Sequence, residues 1–288
     1  MKEQKIYQNI NELFESILRK KASGDIKKFF TFQKGNPQHA PFNNALVFAQ
    51  NPDCAYYMTA SQWTKRFSRN IREGARPMVV LFPFGPVDFV YDFKQTEGDD
   101  GLNENSCVEW WREEKNNILS SKIIDATIRR LDERYQIPFV PKDAKEYFQN
   151  YSLSVGGYAR SFRSGGRPEI TLHPRYITNP NANIEEAYGV LVHEIAHIFL
   201  GHLGTHRYFI GRNEKRVSRR LCEDRSHLDH NVIELEAELT AWLVFSRFGI
   251  EKKSVDYLAG WLVNDEDWQL INFSLVTRVA NTIFEIKN

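Results

Sequence analysis

The sequence His-Glu-Ile-Ala-His at residues 193–197 lies within a segment, 184–202, whose apolar residues recur at helical spacing. Residues four positions apart on a helix share a face and lie one turn apart. His193 and His197 are therefore expected to direct two imidazole nitrogens at one point, as the ligands of a divalent metal do. Glu194 lies beside them, where a carboxylate could take a proton from a metal-bound water. The alternative is that both histidines only make local hydrogen bonds, with Glu194 in solvent.

A third metal ligand has to come from elsewhere, and the sequence Glu-Leu-Glu-Ala-Glu at 234–238 begins a second apolar helix. On a helix, Glu234 and Glu238 share a face, whereas Glu236 does not. The simplest assignment places Glu234 on the metal and lets Glu238 hydrogen-bond a ligand imidazole. Glu236 and Glu238 stay open as alternative ligands. Three solvated glutamates at a helix start, which the helix dipole favours, are the remaining alternative.

Helix caps are expected at two asparagines. Asn183 precedes the first helix, and Glu186, three residues on, completes a capping-box pattern. Asn231 is the expected cap of the second helix.

The composition is ordinary for a globular protein, with 42% hydrophobic and 26% charged residues and a net charge of +1 over 288 residues. This length suits one large or two modest domains. Cys54, Cys107 and Cys222 are odd in number and widely spaced, which favours neither a disulfide framework nor a thiolate metal cluster. No apolar run reaches the roughly 18–20 residues of a membrane span, and the chain start lacks a signal-peptide core. We therefore expect a cytoplasmic protein with no membrane partner.

Periodicity and turn residues predict an α+β fold with two domains, 1–115 and 116–288. Helices are predicted at Glu3–Lys20, Asn43–Gln50, Ser61–Arg69, Asn116–Gln136, 255–262 and 268–286, and extended runs at Pro77–Pro83 and Val87–Phe93. The polar stretch Glu97–Asn105 is expected to form an exposed loop. A hairpin over 155–172 precedes the metal helix, and its exposed strand could pair with an extended peptide. Residues 203–230 are predicted to be a mobile basic insertion near the cleft.

Basic residues are concentrated near the chain start, where eleven stand against three acidic ones between Arg19 and Arg76. Aromatic residues interleave them, and a basic surface with aromatic platforms is typical of proteins that bind single-stranded nucleic acid. This interpretation makes Lys65, Arg69 and Arg72 phosphate contacts and Trp63 a stacking platform. The alternative is that the rings form core and the charges solvate helices.

Several motifs occur in an order that resembles ArdC-type antirestriction proteins. They are Pro41–Val47, Trp63, Ile71–Pro77, Gln95–Gly98, Gly156–Tyr158, His193–His197, Glu234–Glu238 and Tyr257–Trp261. The resemblance implies a small N-terminal α+β domain that binds single-stranded DNA, followed by a zincin-like metallopeptidase domain. Where family members usually carry a lysine-glycine-glutamate turn, this chain has the sequence Arg72–Arg76. The metal domain also resembles the ImmA/IrrE-type regulatory peptidases, which act on repressor proteins.

The residues and the resemblance together predict a Zn²⁺ site formed by His193, His197 and Glu234, with Glu194 as the general base. Iron(II) could occupy the same ligands, but a glutamate beside the first histidine favours hydrolysis. The candidates for oxyanion stabilisation are Tyr158, Arg160 and His173. Three functions compete: a single-stranded-DNA-binding antirestriction protein, a regulatory peptidase acting on one partner protein, and an interaction protein in which the metal only joins two helices.

Overall fold

The computed structural model describes residues 23–82, 85–98, 101–114, 119–143, 146–147, 156–161, 167–177, 179, 182–211, 217–250 and 270–286. Over these residues the fold is mixed α+β, as the sequence predicts. The chain divides into two compact units between residues 118 and 119, and the segment 246–250 is grouped with the first unit. The predicted helices at 3–20 and 255–262 and the hairpin turn at 164–166 lie outside the described residues.

The first unit contains two small antiparallel sheets and four helices among its described residues. The helices are α1 (Ser23–Gly35), α2 (Pro41–Gln50), α3 (Ala60–Phe67) and α4 (Glu104–Glu114), and the strands are β1 (Tyr57–Met58), β2 (Asn70–Ile71), β3 (Met78–Phe82), β4 (Gly85–Asp92) and β5 (Thr96–Glu97). Three strands form a sheet in the order β1-β4-β3, and β2 pairs with β5. Both predicted extended runs are thus strands of one sheet.

Helix α2 protects the outer edge of β3 with two side-chain amides. The Asn43 amide donates to the carbonyl of Leu81 (2.9 Å) and accepts from its N–H (3.1 Å). Two turns along the helix, Gln50 makes the same pair of bonds with Val79, at 2.8 and 2.9 Å. Each amide therefore replaces one residue of a neighbouring strand, which satisfies backbone groups that an edge strand otherwise exposes.

The first unit also includes residues from much later in the chain. Arg247 is buried, and its Nε donates to the carbonyl oxygen of Pro37 at 3.1 Å across 210 residues. Phe248 is buried as well. A boundary at residue 115 therefore omits part of this unit.

The second unit is built around a helix that is apolar on nearly all sides. Its elements are α5 (Ser121–Tyr135), β6 (Gly157–Arg160), β7 (Glu169–Leu172), α6 (Pro174–Ile177), α7 (Ile184–Phe199), β8 (Arg207–Ile210), β9 (Val217–Arg220), α8 (His230–Ser246) and α9 (Phe273–Ile286). Strands β6 and β7 form one antiparallel pair and β8 and β9 another. Most of α7 is buried, as expected for a helix without a polar face. Gly157 lets β6 approach this helix, since a Cβ there would lie 2.7 Å from the Val190 side chain.

Several predicted boundaries change. Helix α5 begins at Ser121 rather than Asn116, and α4 begins at Glu104 within the predicted 97–105 loop. The side chain of Asn183 caps α7 as predicted, but Glu186 binds Tyr176 and Arg175 instead of completing the capping box.

The cap of α8 is Asp229, not Asn231. The Asp229 carboxylate accepts from the Asn231 N–H at 2.8 Å, and its carbonyl accepts from the Ile233 N–H. None of the described helices has the length and hydropathy needed to cross a bilayer.

Candidate metal centre

Helices α7 and α8 bring three potential metal ligands together. The Nε2 atoms of His193 and His197 lie 3.0 Å apart, and the Glu234 carboxylate lies 3.3 Å from the first and 3.6 Å from the second. One ligand atom from each of the three residues falls within 4.8 Å of the others. The i,i+4 spacing on α7 and the second turn of α8 therefore produce the predicted constellation.

The donor set fits a tetrahedral metal ion. Ligand atoms about 2.0–2.1 Å from a zinc ion and separated by a tetrahedral angle lie about 3.3 Å from one another. The two Nε2 atoms lie 3.0 Å apart, and each lies near one of the two Glu234 oxygens, His193 at 3.3 Å from Oε2 and His197 at 3.6 Å from Oε1, which is close to that value. Two imidazoles and one carboxylate leave a fourth position open, which is the arrangement of a catalytic rather than a structural zinc site.

The other two glutamates of α8 lie on either side of this triad. Glu238 places Oε2 3.0 Å from Nδ1 of His193, the ring nitrogen that faces away from the triad. Glu236 projects from the opposite face of the helix and is fully buried, where Arg225 binds it. Of the three carboxylates, only Glu234 approaches both histidine Nε2 atoms, so the geometry favours it over Glu236 and Glu238 as a third ligand.

In the metal-free chain the two histidines differ in charge. Burial alone would lower the pKa of His193, but hydrogen bonds with Glu234 and Glu238 raise it to about 9. Burial and the adjacent cationic His193 lower the pKa of His197. One proton therefore resides on His193 near neutral pH, and the carboxylates stabilise it in the position that a metal cation would take.

Glu194 is buried beside the triad, and desolvation raises its pKa to about 7. The charge of His193 and a hydrogen bond from the Ala159 backbone oppose that rise. A carboxylate poised near neutral pH can both accept and return a proton, which is the property that a general base in hydrolysis requires.

Strand β6 presents its outer edge to Glu194. Ile170 is paired with Ala159. Its N–H donates to the Pro138 carbonyl and its C=O accepts from the Val140 N–H, so both groups point away from β6. Ala159 must then direct its backbone groups away from β7, and its N–H bonds the Glu194 carboxylate. The edge of β6 therefore borders the proposed base.

The three oxyanion candidates are engaged in other contacts. The Arg160 guanidinium binds the Glu169 carboxylate across the hairpin at 2.5 Å. The Nδ1 atom of His173 accepts from the Arg175 N–H, and the Tyr158 ring packs near Tyr147. None of these contacts directs a side chain at the triad.

Two of the predicted nucleic-acid residues lie in the core of the first unit. Trp63 is fully buried, and its indole N–H donates to the Tyr91 carbonyl at 2.9 Å. Arg69 is buried over the Phe93 ring and donates to Thr96. A buried indole cannot stack on a base and a buried guanidinium cannot meet a phosphate, so the predicted roles of both residues are wrong.

Lys65 and Arg72 do lie on the surface, as the prediction requires. Arg66, next to Lys65, is exposed as well and lies over the ring of Trp110 at 4.6 Å. Lys65, Arg66 and Arg72 are therefore exposed cations of the described part of this basic stretch, and Lys28 and Arg76 are exposed as well.

Sequence reasoning missed two residues behind the triad, His202 and Arg225. Nδ1 of His202 lies 3.1 Å from Nδ1 of His197, and Arg225 binds Glu236. One sequence feature could have indicated the role of His202. Gly201 predicts the end of the helix, and the turn there directs the next residue, His202, back towards His197.

Comparison of the chain with family models, with curated proteins and with solved structures finds no match.

Proposed function

We propose that this chain is a zinc-dependent hydrolase that cleaves peptide bonds, built on a zincin-like second domain. The observation that carries the proposal is the convergence of His193, His197 and Glu234 beside the buried carboxylate of Glu194. Two imidazoles and a carboxylate with a neighbouring acid form the donor set of hydrolytic zinc enzymes.

A zinc ion held by the triad would supply a Lewis acid that polarises a carbonyl and lowers the pKa of a water molecule. Glu194 accepts the proton of the attacking water and then donates it to the leaving amine. Glu238 holds the imidazole of His193 through Nδ1, so that Nε2 faces the triad. Burial of Glu194 excludes bulk water from this proton transfer.

A peptide is the substrate class that the neighbouring strand favours. The outer edge of β6 borders Glu194, and an extended chain can add to such an edge through main-chain hydrogen bonds. The backbone of a peptide bound along this edge, which contains the scissile bond, would lie next to the Glu194 carboxylate. The resemblance to ArdC-type proteins supports the same chemistry, and the ImmA/IrrE-type resemblance makes a single regulatory partner protein the alternative substrate.

Substitution of Glu194→Gln tests the function because it removes the base and leaves the three ligands. The variant should bind zinc at the wild-type stoichiometry and lose at least about 10²-fold in hydrolysis. We would measure zinc by elemental analysis and hydrolysis by mass spectrometry of a diverse peptide library. The matched control is Glu185→Gln, an exposed position on the same helix, which should leave both unchanged.

Two results would contradict the proposal. Folded wild-type protein without zinc would remove the metal site. Zinc-loaded protein that leaves peptides and partner proteins intact would indicate that the metal is structural and only joins α7 to α8.

A second candidate function is single-stranded-DNA binding by the first unit. The observation in its favour is the group of exposed cations Lys65, Arg66 and Arg72, with Arg66 lying over Trp110. Cations beside an aromatic surface suit a single strand, whose phosphates and bases are both accessible.

A further inference from the structure

A row of buried polar side chains lies behind His197, on the side away from the triad. Nδ1 of His202 lies 3.1 Å from Nδ1 of His197, and Nε2 of His202 lies 3.0 Å from Oε2 of Glu236. The side chains of His202 and Glu236 are fully buried. Unpaired polar groups at such depth are strongly destabilising, so each contact in the row has to be satisfied.

The far end of the row is a carboxylate with four donors around it. Arg225 binds Glu236 through both terminal nitrogens, each at 2.7 Å, and the Asn272 backbone N–H donates at 2.7 Å. Burial alone would raise the pKa of Glu236, but the hydrogen bonds from His202 and Arg225 hold it below its usual range. Glu236 is therefore ionised, and an ionised carboxylate only accepts hydrogen bonds.

The tautomers follow from this end. Because Glu236 only accepts, His202 donates from Nε2, and Nδ1 is then the nitrogen that can accept in the contact with His197. In that contact it accepts from Nδ1–H of His197, which leaves the lone pair of His197 on Nε2. Nε2 is the atom that faces His193 and Glu234.

We propose that His202, held by Glu236 and Arg225, is a positioning residue that fixes the tautomer and ring orientation of His197 for metal binding. This inference rests on the proposed metal function. It gives the two histidine ligands different supports: a carboxylate, Glu238, for His193, and an imidazole, His202, for His197. Since Arg225 offsets the charge of Glu236, the row orients His197 without adding net negative charge behind it.

The end of α7 builds this arrangement from local sequence. The His202 N–H donates to the His197 carbonyl at 3.0 Å and the Gly201 N–H donates to the Ile198 carbonyl, the paired bonds of a Schellman motif. Gly201 has a φ of +81°. The Gly201 carbonyl also accepts from the Arg225 N–H at 2.9 Å. One turn therefore delivers His202 to His197 and Arg225 to Glu236.

Three substitutions of His202 separate its two contacts. Asn places an oxygen acceptor near the position of Nδ1, Gln places an amide near the position of Nε2, and Phe removes both contacts at similar volume. The matched control is His206→Gln, because His206 is also buried but binds the Tyr135 carbonyl through Nε2, away from the triad. Each full-length protein would be titrated with Zn²⁺ against a chromogenic chelator and with Co²⁺ by visible absorption.

We expect His202→Phe and His202→Gln to lose about 10- to 100-fold in zinc affinity and to change the Co²⁺ spectrum. His202→Asn should retain more affinity than His202→Gln, and His206→Gln should match the wild type. Urea unfolding of the metal-free proteins gives the free energy of unfolding of each variant, which is then compared with its zinc affinity.

Wild-type affinity and an unchanged Co²⁺ spectrum in all three His202 variants would overturn the proposal. Losses of affinity that follow the losses of stability, without the advantage of Asn over Gln, would also overturn it. Wild-type protein that binds neither ion would instead contradict the proposed metal function.

Discussion

At His193, two glutamates bind one imidazole, and their combined charge has a measurable consequence for metal uptake. With its pKa raised to about 9, this side chain holds a proton near neutral pH that a metal ion must displace. Apparent zinc affinity should therefore rise about tenfold per pH unit between about pH 7 and 8.5. Competition titrations at several pH values would measure this slope.

The stability of the metal-free chain should change with pH in the opposite direction to the zinc affinity, falling as the pH rises. A histidine pKa raised on folding stabilises the fold fully below the unfolded pKa of about 6.5, and this stabilisation is lost as the pH rises through about 9. Glu238→Gln removes the negative charge of one of the two acceptors and so lowers the pKa of His193, and the rise in zinc affinity should move to lower pH. A wild-type affinity that stays constant from pH 7 to 8.5 would show that no proton is displaced.

Gly201 shows how closely one backbone position controls the site. Its φ of +81° disfavours any side chain, and a Cβ there would lie 1.9 Å from the Glu223 carbonyl oxygen. Gly201→Ala should lower the free energy of unfolding by more than the 1–2 kcal/mol, roughly, of the left-handed conformation alone. Urea denaturation would measure the loss.

Gly204→Ala is the control for that substitution. Gly204 also has a positive φ (+91°), but its nearest neighbour would be 3.9 Å from the new Cβ. It should show only the conformational part, so equal losses for both variants would contradict a role for the Glu223 contact.

The sequence predicts individual residues well where spacing determines geometry. The i,i+4 rule places His193 and His197 on one face and separates Glu234 from Glu236. Spacing gives no information about whether an aromatic side chain is exposed to solvent, so the basic neighbours of Trp63 predict a surface platform although its ring is buried. It also misses contacts between distant segments, such as Arg225 with Glu236.

Among the elements, the pairing of α2 with β3 depends on two amide side chains rather than on a third strand. Asn43→Leu would leave the N–H and C=O of Leu81 without these partners. We expect a loss of about 1–3 kcal/mol in the free energy of unfolding, measured by urea denaturation. Self-association should increase, because an uncapped strand edge can pair with another chain.

The control for the strand edge is Asn105→Leu, the same change at an exposed helical position of the same unit. It should remain monodisperse with nearly wild-type stability. If both variants behave alike, the amide pairing does not protect the edge.

Element types were easier to predict than their boundaries. The apolar periodicity predicts the first residue of α7, Ile184, but extends its end to residue 202, three residues beyond Phe199. The sequence does not predict helix α4 because the helix begins in a polar, acidic stretch. Its buried residues Cys107 and Val108 belong to a core cluster with Tyr56, Met58 and Trp63, which are distant in sequence. The cap of α8 was misplaced by two residues, since Asp229 and Asn231 both have side chains that accept from a backbone N–H.

At the scale of the whole molecule, substitution of the exposed cations tests whether the protein binds DNA. Changing Lys65, Arg66 and Arg72 together to Ala in the full chain should weaken binding to any single-stranded oligonucleotide. Each lost phosphate contact should reduce the slope of log affinity against log salt by about 0.7. Fluorescence anisotropy at several salt concentrations would measure both.

The matched control removes three exposed cations from α5, at Lys122, Arg129 and Arg134. It has the same change in net charge and should keep the wild-type slope. Equal effects of the two triple variants would indicate nonspecific attraction, and a wild type without affinity for single strands would leave the metallopeptidase as the function.

The contact between Arg247 and Pro37 has a consequence for how the protein is made. A ribosome adds about 5–20 residues per second, so the 210 residues between these partners take roughly 10–40 s to synthesise. During that interval the nascent first unit lacks Arg247, and this is the stage at which an N-terminal domain normally finishes folding on its own. A message truncated before codon 247 would therefore yield an incomplete first unit, even though nearly all of that unit's sequence had been translated.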